Sequence, residues 1–102
     1  INIIADSVSI INASKIDSST LGIGESGSIS IKANGNVAID NSRILTNSVS
    51  AEGDAGSIAI ASQSIQLTND ASLESSNFFG GNAGSITVEA KENISVSNSN
   101  IF

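Results

Sequence analysis

The sequence predicts an all-β chain wound as a parallel β-helix, a β-solenoid. Two observations carry that prediction: one phrase recurs every 28 or 29 residues, and within each repeat aliphatic residues alternate with polar ones. Gly27-Ser28-Ile29-Ser30-Ile31 returns as Gly56-Ser57-Ile58-Ala59-Ile60 and again as Gly84-Ser85-Ile86-Thr87-Val88, and Ile1-Asn2-Ile3 is the same phrase cut at the front. A third observation is the kind of residue that supplies the apolar content. Hydrophobic residues make up 39% of the chain, yet Trp, Tyr, Met, Cys, Pro and His are absent and only Phe78, Phe79 and Phe102 are aromatic. A core without large side chains has to repeat a small branched residue many times, and Ile fits a pleated, buried surface.

Each repeat contains three short alternating segments, the mark of strands with one buried face. The first supplies Ile1 and Ile3, Ile29 and Ile31, Ile58 and Ile60, and Ile86 and Val88. The second supplies Val8 and Ile10, Val37 and Ile39, Ile65 and Leu67, and Ile94 and Val96, and a third adds Ile16, Ile44, Leu73 and Ile101. Every position in these five columns is Ile, Val or Leu. The residues between them, Asn2, Ser30, Ala59 and Thr87 on the first strand and Ser9, Ala38, Gln66 and Ser95 on the second, are expected to point outward. No repeat can bury its own apolar edge. Stacking coils about 4.8 Å apart pairs each strand with its equivalents above and below. The expected coils are residues 1–27, 28–56 and 57–84 with a partial coil at 85–102, about three and a half coils in a single unit. Right-handed winding is expected from the handedness of parallel crossovers.

The corners are read from polar columns. Two residues past the second strand stand Asn12, Asn41, Asn69 and Asn98, an asparagine ladder. Asn tolerates left-handed turn geometry, and its amide can both donate to and accept from the next coil. A weaker column, Ser18, Thr46 and Ser75, reads as hydroxyls satisfying a turn. Gly27, Gly56 and Gly84 close the long loop before the first strand, where the backbone needs either positive φ or close coil contact. Glu25, Asp54 and Asn82, two residues earlier, form a column of oxygen ligands that faintly resembles calcium-binding Gly-rich repeats around GGNAG. The tandem nine-residue spacing is missing and the column loses its charge at Asn82, so turn chemistry is expected and no metal or other cofactor.

Three loops vary while the strands stay constant: residues 17–26, 45–55 and 74–83. Variation of this kind gathers on one side of a solenoid and makes that side a candidate contact edge. Its apolar residues are Leu21, Ile23, Val49, Phe78 and Phe79. Phe78 is expected to fold back over the third corner of the coil, whereas the sequence offers no choice for Phe79.

Ten acidic against four basic residues give a net charge of −6, which opposes nucleic-acid binding. No apolar run reaches the ~20 residues of a membrane span, so no membrane insertion is expected. Without His or Cys there is no thiolate chemistry and the commonest general base and metal ligand are missing. The outward first-strand positions cannot supply the paired acid and base of a polysaccharide-acting enzyme, and Asp40 and Asp70 stand as lone turn residues beside the Asn ladder. Thr20, Thr46, Thr68 and Thr87 occupy different columns, against a threonine array for ice. No catalytic residue is therefore expected.

The cadence GDAGSIAIASQSIQLTNDASLESS at 53–76, with GNAGSITVEAKENISVSNS at 81–99, resembles the repeats of filamentous-haemagglutinin-like exoproteins, which are exported by two-partner secretion. The resemblance covers essentially the whole chain. It implies a right-handed β-helical shaft at the cell surface or outside the cell, with roles in adhesion, aggregation or coating, in which the variable loops meet surface glycans or other cells. The family's secretion domain is not recognisable in this stretch. A self-assembling subunit of a noncovalent filament is the alternative, and a polysaccharide-binding or polysaccharide-acting β-helix a third. No capping helix, proline or charge guard is readable at either terminus, so further solenoid coils are expected at both ends, in the same chain or by head-to-tail stacking.

Overall fold

In the computed structural model the chain is all-β, and residues 1–21, 24–49 and 53–101 are described. The strands are β1 (Asn2–Ala5), β2 (Val8–Ile10), β3 (Lys15–Asp17), β4 (Ile29–Ala33), β5 (Asn36–Asp40), β6 (Arg43–Leu45), β7 (Ile58–Thr68), β8 (Ser72–Glu74), β9 (Ile86–Val96) and β10 (Asn100–Ile101). All pair in parallel with their equivalents one repeat away, in two sheets, and the coils stack as the solenoid expected from the sequence. One sheet joins the first and second segments of every coil; the other holds the third segments, in the order β10-β8-β6-β3. In the last two coils the first and second segments run together as β7 and β9, and the register shifts between Ser62 and Ser64.

The columns are in register. Ile3, Ile31, Ile60 and Val88 stack, as do Val8, Val37, Ile65 and Ile94, and Ile16, Ile44, Leu73 and Ile101. Their packing makes one core, with Ile29, Ile39, Ile58, Leu67 and Ala71. A sixth inward column escaped the sequence reading. Ala5 pairs with Ala33 and Ser62 with Ala90, two residues beyond the last aliphatic position of the first strand. Ala33 and Ala90 pack against the core at the junction between the first and second segments.

The bend at that junction is accommodated by chain length. From the second inward position of the first strand to the first of the second strand, Ile31 to Val37 and Val88 to Ile94 are one residue longer than Ile3 to Val8 and Ile60 to Ile65. The extra residue of β9 is absorbed as a bulge, opposite Ser62 and Ser64 of β7.

Burial follows position in the stack. Column residues of the two inner coils are sealed, whereas Val96 and Ile101 in the last coil stay 46% and 45% exposed. Substitution should reflect this. Ile60→Ala removes buried methyl groups between two coils and is expected to cost about 2–5 kcal/mol, while Val96→Ala in the open last coil is expected to cost about 1 kcal/mol or less. Denaturant titration of the two variants reads the difference.

Candidate functional site

The loop edge is built on continued pairing. Thr20, Ser48 and Asn77 form parallel bridges beyond the third strand, which brings Leu21, Val49 and Phe78 to successive levels of one edge. Ile23 lies outside the described residues. Phe78 does not fold back over the corner: it is 59% exposed, and Phe79 66%. The reason is polar. Asn77 Oδ1 accepts the N–H groups of Phe79 (2.9 Å) and Gly81 (3.2 Å), its Nδ2 donates to Gly53 O at 2.7 Å, and Phe78 N–H donates to Ser48 O at 3.0 Å. These bonds fix the tip of the loop with both rings turned outward. Leu21 is likewise exposed and Val49 half-buried. Below this edge the Ser19 hydroxyl and Lys15 hold the Asp17 carboxyl below its ordinary value, against a smaller opposing effect of burial.

At the opposite corner Asn12, Asn41, Asn69 and Asn98 all have positive φ, between 47° and 61°. All four side chains are exposed. Their amides do not simply bond one another: Asn69 Nδ2 donates to Asp40 Oδ1 in the preceding coil, which also accepts Thr68 Oγ1 at 2.7 Å. Asp40 is therefore a bonded corner residue and not a lone one. What the column shares is backbone conformation, which Asn tolerates better than most residues.

The glycine column is set by contact. Gly27, Gly56 and Gly84 are not among the positive-φ glycines. A Cβ at Gly56 would lie 2.1 Å from Gly27 O, and one at Gly84 only 2.0 Å from Gly56 O. Another such approach, three residues upstream, was legible as Gly24, Gly53 and Gly81 but went unread; a Cβ on Gly53 would lie 1.9 Å from Gly24 O. The freed carbonyls are used. Buried Thr46 and Ser75 both donate their hydroxyls to Gly56 O at 2.7 Å, and Ser75 Oγ accepts Gly84 N–H at 2.9 Å. The Ser/Thr column is thus the internal polar lining of the loop. Beside it, Asp54 Oδ1 accepts Asn82 N–H at 2.9 Å, so this carboxylate is engaged with backbone. Among the described residues no three acidic side chains converge.

A second concave region lies on the outer face of the first strand. Ala59 and Ala61 there pair with Ser30 and Lys32 below and with Thr87 and Glu89 above, so two short side chains sit between longer ones. Two adjoining dents, of about 430 and 240 Å³, share Lys32, Ala61 and Glu89, and the larger reaches the junction at Ser62, Gln63 and Lys91. The sequence reading ended the first strand one outward residue too early and missed Lys32, Glu89 and Lys91. The signal available was the continuing alternation through Ala33 and Ala90.

Two outcomes follow for these columns. Asn41→Ala is expected to cost about 1 kcal/mol through its left-handed backbone, while Asn41→Gly should stay within about 0.5 kcal/mol of the parent in thermal melts. Chelation with EDTA is expected to leave the β-sheet circular dichroism and the melting curve unchanged, since Glu25, Asp54 and Asn82 serve the turn; a loss of structure would assign them to a metal. Comparison of the chain with family models, curated proteins and solved structures finds no match.

Proposed function

We propose that this chain is a non-catalytic shaft segment of an extracellular or cell-surface fibre of the filamentous-haemagglutinin-like kind, with its variable loops displayed along one edge. The observation that carries the reading is the in-register stacking of equivalent strands, which repeats the same aliphatic columns from coil to coil. The segment measures 38 × 24 × 19 Å, and four levels about 4.8 Å apart account for roughly its shortest dimension. It is a slice of a stack, wider than it is tall, and its stiffness as a shaft depends on further coils.

Shafts of this kind lengthen by adding coils, in the same chain or from identical chains stacked head to tail. Head-to-tail stacking is heterologous and does not close, so it yields a filament. The edge carrying Phe78 and Phe79 is the part of the shaft that meets surface glycans or other cells. The purified chain is expected to self-associate as concentration rises, read by light scattering, with rods visible by electron microscopy. A chain that stays monomeric at high concentration overturns the self-stacking reading.

A further inference from the structure

We infer that the dent on the outer face of the first strand is a subsite for an acidic sugar, a uronate unit of a polysaccharide lying across the coils. The first argument is charge. The chain has four cationic side chains in all. Lys15 is tied to Asp17 at 2.9 Å and Arg43 to Glu74 at 3.2 Å, both at the third strand. The remaining two, Lys32 and Lys91, both line the dent, are exposed, and among the described residues have no ion-pair partner. On an acidic chain the uncommitted positive charge is thus gathered at one concavity, where it attracts an anionic group.

The second argument is shape and lining. The floor is set by Ala59 and Ala61, whose neighbours above and below are longer, so the dent spans from Lys32 to Glu89 across two coil spacings, about 10 Å. At about 430 Å³ the larger part falls in the size range of ligand sites. A sugar ring presents a C–H face suited to the alanine methyls and hydroxyls suited to the polar wall. That wall offers the Asn34 and Gln63 side chains at the junction and the Glu89 carboxylate as a hydroxyl acceptor. Glu92 nearby accepts Gln63 Nε2 at 2.8 Å. Two lysines accommodate one carboxylate at a time, and the net charge of −6 opposes the far denser charge of a nucleic-acid backbone.

The site belongs to the side of the stack and is independent of the shaft reading, since the titration is run below the concentration at which the chain self-associates. The test titrates the whole chain with an oligomer of galacturonic acid while backbone amide shifts and affinity are recorded, with the neutral galactose oligomer and acetate as comparators. Shifts are expected at residues 59–63, with affinity falling about tenfold in Lys32→Gln and in Lys91→Gln and holding in Lys15→Gln. Circular dichroism checks that each variant is folded. Absence of shifts, equal binding of the neutral oligomer, acetate binding as tightly as the uronate oligomer, or an equal loss in Lys15→Gln would each overturn the assignment.

Discussion

Every coil lies one backbone hydrogen bond from the next, and that spacing of about 4.8 Å rules the choice of residue at each position. A side chain in this fold meets its own equivalent above and below before it meets anything else. In the aliphatic columns the neighbours are branched and alike, as in Ile3, Ile31, Ile60 and Val88. Where the backbone turns in toward the carbonyl of the coil beneath, even a methyl group is too large, and Gly56 and Gly84 follow. The same distance therefore selects both the branched aliphatic residues and the smallest residues of the chain.

The loop side solves a different problem. Beyond the third strand the chain still pairs with its neighbours at Thr20, Ser48 and Asn77, but its enclosed side chains are hydroxyls and an amide. Burying such groups is tolerable only when each is bonded. Here Thr46, Ser48, Ser75 and Asn77 all donate to the carbonyls of Gly53 or Gly56. Absence of a Cβ lets the coils approach, and the carbonyls so exposed to the loop are closed by hydroxyls. The glycine and Ser/Thr columns are in this sense one device.

Most of this was legible because two periodicities coincide: alternation within a strand marks the inward face, and the 28- or 29-residue repeat confirms it coil by coil. Legibility fails where side-chain contrast is low. Ala5, Ala33, Ser62 and Ala90 continue the inward alternation of the isoleucines, yet small residues leave no hydrophobic signal, so the first strand read too short. The outward column of Lys32, Ala61 and Glu89 was lost with it. The orientation of Phe78 was misread for another reason: its apolarity argued for a buried ring, but its backbone N–H answers to Ser48 O and that of Phe79 to the Asn77 side chain, neither of which hydrophobicity can reveal. For Asn41 and its equivalents the column was visible, while the shared property proved to be φ and not amide pairing.

A stack of near-identical aliphatic columns has a weakness, because it does not by itself fix register. A slip of two residues along a strand would place Ile on Ile again and keep the inward face inward, unlike the one-residue slip that inverts a sheet. The glycine contact removes that freedom. Only one register sets a residue without Cβ over Gly27 O or Gly56 O, and a two-residue slip would bring Asp54, Asn82 or an isoleucine into a gap about 2 Å deep. The one-residue difference in junction length between alternate coils gives a second marker. Any coil laid on Gly84 has to meet the same requirement, so the apolar columns supply the adhesion between coils and the glycines decide which alignment it stabilises.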